Sequence, residues 1–138
     1  MSTIKIENLV HRSGTGGNAV VLNSNGGVTY GKQQIATVSS VTYGATTTLD
    51  LQTANNFTIT LTGNVTFADP SNETAGQSGS IFIVQDGTGN RTAAWNGAWK
   101  FPAGTDPTLS TDANAVDRVD YIVRGAGDIH AVWSGALA

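Results

Sequence analysis

The chain has 138 residues, of which 39% are apolar and only 12% charged, with 17 glycines, 3 prolines, no cysteine and a net charge of -3. Its length suits one domain with a real core, and its low charge content argues against charge-driven disorder. The negative balance, with no run of Lys or Arg interleaved with aromatics, argues against nucleic acid as a partner, and the absence of cysteine removes disulfide frameworks and thiolate metal sites. No apolar stretch approaches the roughly 18 to 20 residues that span a bilayer, and M-S-T-I-K-I-E-N lacks the apolar centre of a signal peptide. Folding in the cytosol without a membrane partner is the expectation.

Residues 1–44 have a texture of their own. Small apolar groups (Ile4 and Ile6; Val20, Val21 and Leu22; Val28 and Tyr30) are separated by Gly14, Gly16, Gly17, Gly26 and Gly27. Strands this short bury too little to offset an ordering entropy of about 1 to 2 kcal/mol per residue. A glycine-rich, extended N-terminal arm is expected, serving docking or trimerisation. Ile4, Ile6, Leu9, Val20, Leu22 and Tyr30 are its candidate contacts with other copies or with a capsid.

Residues 45–138 read as a small antiparallel β-sandwich or barrel-like domain, all-β throughout. Leu49 and Leu51 share one face of the first strand candidate, Thr46 to Leu51. In Asn56 to Thr62, N-F-T-I-T-L-T, strict alternation puts Phe57, Ile59 and Leu61 opposite Thr58, Thr60 and Thr62, the mark of a half-buried strand. A Gly63-Asn64 turn leads into Val65-Thr66-Phe67, which suggests a meander. Pro70 breaks the ladder in the loop that follows. Ser80 to Val84 is apolar on both faces and reads as a central strand covered on both sides. Asp86-Gly87-Thr88-Gly89-Asn90 turns the chain. Asn96-Gly97 between Trp95 and Trp99 signals a two-residue hairpin with positive φ at both central positions. Phe101 to Thr111 is a long loop, and Asp112 to Val116 reads as one capped helical turn. The chain closes as an antiparallel hairpin around Gly125-Ala126-Gly127, with Val119, Tyr121 and Val123 alternating against Asp120 and Arg124, and Ile129, Ala131 and Trp133 against His130.

Reactive chemistry is poorly represented. Gly76-Gln77-Ser78-Gly79-Ser80 lacks the last glycine of a nucleophile elbow and precedes a strand, so it reads as a turn. His11 and His130 are the only histidines, and His130 falls on the polar face of its strand; a hydrolytic pairing of His130 with a nearby Asp has no sequence support for its orientation. The aspartates sit in or beside turns without a calcium-loop pattern, and Asp86 to Asn90 resembles such a loop only loosely. Gly87-Thr88-Gly89 and Gly125-Ala126-Gly127 lack the helix that a dinucleotide site needs. Four Asn-x-Thr triplets match the N-glycosylation pattern but carry little weight in so Asn- and Thr-rich a chain. Trp95, Trp99, Trp133 and Tyr121 could form a sugar-stacking platform, yet large rings in a small sheet more often fill its core. No catalytic, cofactor-binding or metal-binding residue is assigned.

The stretches N-F-T-I-T-L-T-G-N-V-T-F-A-D-P (Asn56 to Pro70), G-Q-S-G-S-I-F-I-V-Q-D-G-T-G-N-R-T-A-A-W (Gly76 to Trp95), W-K-F-P-A-G-T-D-P-T-L-S-T (Trp99 to Thr111) and D-R-V-D-Y-I-V (Asp117 to Val123) resemble a β domain of tailed-bacteriophage surface proteins, found in tail-fibre-like chains and small head-associated proteins. The resemblance covers about the last two-thirds of the chain and implies a virion structural role, commonly as a trimer, with no catalytic residues. The expectation is a trimeric capsid decoration (cement) protein or short head fibre on the virion surface, assembled in the host cytoplasm. Its partners would be copies of itself and the phage major capsid protein or other virion proteins. The alternative is a tail-fibre or receptor-binding module that meets host surface glycans through Trp95 or Trp99.

Overall fold

The computed structural model describes residues 20–22, 28–30 and 33–137. The chain divides into two units, residues 1–35 and 36–138. In the first, β1 (Val20–Leu22) pairs antiparallel with β2 (Val28–Tyr30), with Val20 opposite Tyr30 and Leu22 opposite Val28. Of the candidate arm contacts, Val20, Leu22 and Tyr30 belong to this pair; Ile4, Ile6 and Leu9 lie outside the described residues.

The second unit is built from β3 (Val38–Val41), β4 (Thr46–Thr47), β5 (Asn56–Leu61), β6 (Val65–Phe67), β7 (Ser78–Gln85), β8 (Ala93–Trp95), β9 (Trp99–Lys100), β10 (Val116–Gly125) and β11 (Asp128–Leu137). It starts at Ala36, upstream of the change in texture near Ala45, because β3 is a full member of the main sheet. Six strands form one sheet in the order β3-β5-β7-β10-β11-β9, and three form another in the order β4-β6-β8. Up to β9 the chain therefore visits the two sheets alternately. β3, β5 and β7 run parallel, as do β4, β6 and β8.

The protein is all-β, but its sheets are mixed, which corrects the antiparallel meander. Parallel neighbours need a long crossover connection, usually a helix. Here each crossover is supplied by a strand of the opposite sheet, so the first part of the unit winds as three flat coils. β10 and β11 then enter between β7 and β9 as an antiparallel hairpin, and β9 joins β11 in parallel. The expected C-terminal antiparallel hairpin is present, and its register sets Val119, Tyr121 and Val123 opposite Trp133, Ala131 and Ile129.

Alternation decides which side chains enter the core. Phe57, Ile59 and Leu61 of β5, Val65 and Phe67 of β6, Ile81 and Ile83 of β7, and Val119, Tyr121 and Val123 of β10 are all at most 4% exposed and meet in one cluster. Each such large side chain contributes about 1.5 to 3 kcal/mol on burial. β7 is central, with β5 and β10 on its flanks, yet only one of its faces is covered: Phe82 and Val84 stay half-buried on the outer side. There Phe82 lies in a cross-strand row with Thr58 and Arg118, whose long aliphatic stem can lie along an apolar neighbour. Gly79 is a glycine for steric reasons, since a Cβ would come within 1.7 Å of the Asn55 carbonyl oxygen.

Two further local readings change. Trp95 and Trp99 do not form a hairpin; they belong to different sheets, and neither Asn96 nor Gly97 has a positive φ. Asn96 N–H donates to Phe67 O and Trp99 N–H to Asn96 O, so the turn carries the chain from one sheet to the other. Residues 112–114 form a turn instead of a helix, and the one helical element among the described residues is a 3-10 turn at Pro102–Gly104.

Polar side chains hold the connections. Gln85, 1% exposed, donates to Arg91 O and accepts from Arg91 N–H, both at 2.9 Å, and so ties down the Asp86 turn. Asp117 is fully buried beside a bulge in β11, where one extra residue stands opposite β10 between Leu137 and Ser134. Its carboxylate accepts Ser110 N–H and Ser110 Oγ–H at 2.8 Å and Ala136 N–H at 3.2 Å, joining the long loop to the end of the sheet. Removing an acceptor leaves buried donors unpaired. Asp117→Ala is expected to cost about 2 to 3 kcal/mol, read as a lower urea midpoint with an unchanged slope.

Candidate functional site

The aromatic residues give the first candidate surface, and the structure places them inside. Trp95 is 9% and Trp99 4% exposed. Trp95 stacks on Phe67 with centroids 4.3 Å apart and meets the edges of Trp99 at 5.2 Å and Phe101 at 5.0 Å. Trp99 in turn packs edge-on against Tyr121, and its indole N–H donates to Ala68 O at 3.0 Å. These rings bind the two sheets together and offer no stacking face to a glycan, which corrects their assignment as glycan contacts. Trp133 follows the inward alternation of β11 but stands 40% exposed, beyond the short reach of β9.

The surface with mixed chemistry is the outer face of the six-stranded sheet. The alternation that buries Val119, Tyr121 and Val123 sends Arg118, Asp120, Ile122 and Arg124 outward. On β11 it sends out His130 and Val132, and on β9 Lys100, which stands beside His130 in register. Ile122 and Val132 are 50% and 53% exposed. With the wall raised by Phe101 and Pro102, Lys100, Asp120, Ile122, His130 and Val132 line a shallow, largely apolar hollow of about 510 Å³. Pockets of about 300 to 1,000 Å³ with an apolar lining and a few polar groups are the usual form of small-ligand sites.

The polar rim is ordered by ion pairs. Arg118 bonds Asp120 at 2.9 Å, and the other oxygen of Asp120 accepts Ser80 Oγ–H at 2.6 Å. Asp128 pairs with Arg124 through one oxygen and stands 3.3 Å from His130 Nε2 through the other. Lys100 Nζ donates to Gly97 O. Sequence reasoning passed over this surface, although Ile122 standing between Asp120 and Arg124 on the polar side of β10 was its signal.

Of the residues considered for catalysis, His130 does meet Asp128, but the serine candidate does not join them. Ser78 and His130 lie in one cross-strand row, but Ile122 stands between them. Two strand spacings are about 9 to 10 Å, whereas proton transfer needs about 3 Å. In the Asp86 turn, the carboxylate accepts the N–H groups of Thr88 and Gly89 and bonds Arg91 at 2.8 Å. The Arg91 guanidinium, helped by those amides, holds the Asp86 carboxyl below its usual range.

Residues 43–128 match the family described as "Putative phage tail fibre C-terminal domain". The chain belongs to this phage tail fibre C-terminal domain family, and it is accordingly a virion-associated phage structural protein. Membership points to a structural and not an enzymatic protein. No curated protein and no solved structure matches the chain.

Tyr121 reports on the integrity of the layer beneath the hollow. Its hydroxyl donates to Asn55 O at 2.8 Å, and burial pushes its pKa from 10.0 up to about 12. A phenol that holds its proton more tightly when folded favours the folded state fully below the unfolded pKa, and this advantage is lost as pH rises through the folded one. Stability is expected to fall between pH 10 and 12, and Tyr121→Phe to flatten that part of the profile in thermal unfolding scans.

Proposed function

We propose that the chain serves in a phage tail fibre, as a terminal-type module that presents the outer face of its six-stranded sheet to the host cell surface. The family match over residues 43–128 carries this reading. It supports a tail fibre over the capsid decoration or head-fibre role first expected. The geometry is compatible in kind: a rigid double-layered core fixes a sheet whose outward side chains take no part in that core. Binding groups on strands are held more accurately than groups on loops. Gold-labelled antibody against the chain, applied to purified virions, is expected to mark the tail end in few copies per particle. Dense label over the head would replace this reading with decoration.

The module also associates with copies of itself, as the trimer expected from the sequence. β3 supports this, for it is an edge strand of the described unit that reads Val-Ser-Ser-Val, with Val38 50% exposed and without charge or proline. Edges of this kind are commonly blunted by charge, proline or bulges unless they are paired. Sedimentation equilibrium of the whole chain is expected to give three times the mass of one chain, and Val38→Lys to shift the equilibrium toward single chains. A single-chain mass across the full concentration range sinks the trimer.

A further inference from the structure

Charge is unevenly distributed over the second unit. Of the four described Lys and Arg side chains, Lys100, Arg118 and Arg124 all stand on the outer face of β9 and β10, while Arg91 is committed to Asp86 in its turn. The nine described carboxylates are arranged in the opposite way. Only Asp120 and Asp128 stand on this outer face, each paired with an arginine, and Glu73 approaches only the hairpin end, where it accepts Gly127 N–H. Lys100 is the cation without a carboxylate partner among the described residues. It stands at the rim of the hollow and uses one of its three N–H donors on Gly97 O. In a chain of net charge -3, this face is the local exception.

We infer that the hollow between β9, β10 and β11 binds an acidic saccharide, a sugar carrying a carboxylate or phosphate, with Lys100 as its anion contact. Ile122, Val132 and Pro102 present an apolar bed to the C–H face of a pyranose ring. Asp120, with a lone pair left after Ser80 Oγ and two Arg118 nitrogens, accepts a sugar hydroxyl proton, and the half-exposed imidazole of His130, beside Lys100 in register, is a further hydrogen-bonding group. Interleaved donors, acceptors and aliphatic groups suit a polyhydroxylated ring. An extended peptide would instead add to a sheet edge. A nucleic acid would meet one surplus cation, too few for the counterion release that drives such binding. Only the source of the sugar, a host surface polymer, rests on the tail-fibre reading.

The test is a titration of the whole ¹⁵N-labelled chain, followed by amide shifts. The probes are trigalacturonate, glucose 6-phosphate, neutral galactotriose and inorganic phosphate. Saturable shifts centred on Lys100, Ile122, His130 and Val132 are expected with either acidic sugar, weakened about tenfold in Lys100→Ala and retained in Lys100→Arg. Unchanged amide dispersion in the variants shows that they are folded. No shifts at these residues with both acidic sugars overturns the inference. So does equal affinity for galactotriose, or for inorganic phosphate against glucose 6-phosphate. Virion labelling at the tail with a silent hollow rejects the saccharide site alone; sugar binding with label over the head rejects only the tail-fibre reading.

Discussion

Successive strands from β3 to β9 lie in different sheets, and the parallel pairing of β3, β5 and β7 depends on this. A parallel neighbour can be reached only after the chain has travelled back, and the return path must satisfy its own backbone groups. In this molecule the return path is β4, β6 and β8, which pair with one another. Each coil therefore contributes an inward row to both layers at once. Phe57 and Phe67, drawn from consecutive strands of opposite sheets, end in the same cluster. The core is a product of the winding, not of two separately completed sheets.

Winding leaves two problems, which polar groups solve. Short turns must reverse the chain, and the C-terminal hairpin must be held between β7 and β9. Gln85 binds both backbone groups of Arg91, much as a neighbouring strand would. Asp117 performs the corresponding task at the bulge, where the ladder between β10 and β11 loses register. Both side chains are buried and hydrogen-bonded to backbone, the arrangement in which a polar group inside a protein adds rigidity without an unpaired penalty. In a chain without cysteine, such contacts fix the loops in place of disulfides.

What sequence alone revealed follows the range of each interaction. The alternation of β5 and the hairpin of β10 and β11 were legible, because period-two patterning and a tight turn are local. The sheet to which each strand belongs was not, since parallel and antiparallel neighbours use the same side chains and differ only in the path between them. Asn96-Gly97 shows the limit well. The dipeptide permits a hairpin, but stacking of Trp95 on Phe67 and insertion of Trp99 beside Tyr121 pull its flanks into opposite layers. β3 escaped notice for a related reason: Val-Ser-Ser-Val has little apolar content, and its place is set by β5. The outer hollow was visible only as one isoleucine in a polar row, and Lys100 reaches it through a parallel pairing that no local pattern announces.

The same division accounts for the charge on the outer face. Carboxylates accept backbone N–H groups well, so turns attract them: Asp50 accepts Gln52 N–H, Asp69 accepts Ala98 N–H, Asp86 accepts Thr88 and Gly89 N–H, and Asp106 accepts Trp95 N–H. Asp117 and Glu73 do likewise for Ser110 and Gly127. Lys and Arg have no acceptor atoms with which to close a turn in this way. Acidic groups are thus drawn to the connections by folding itself, while the outward strand positions, free of that demand, hold most of the described cations. A binding face on this fold gains its sign from the residues that the turns do not need.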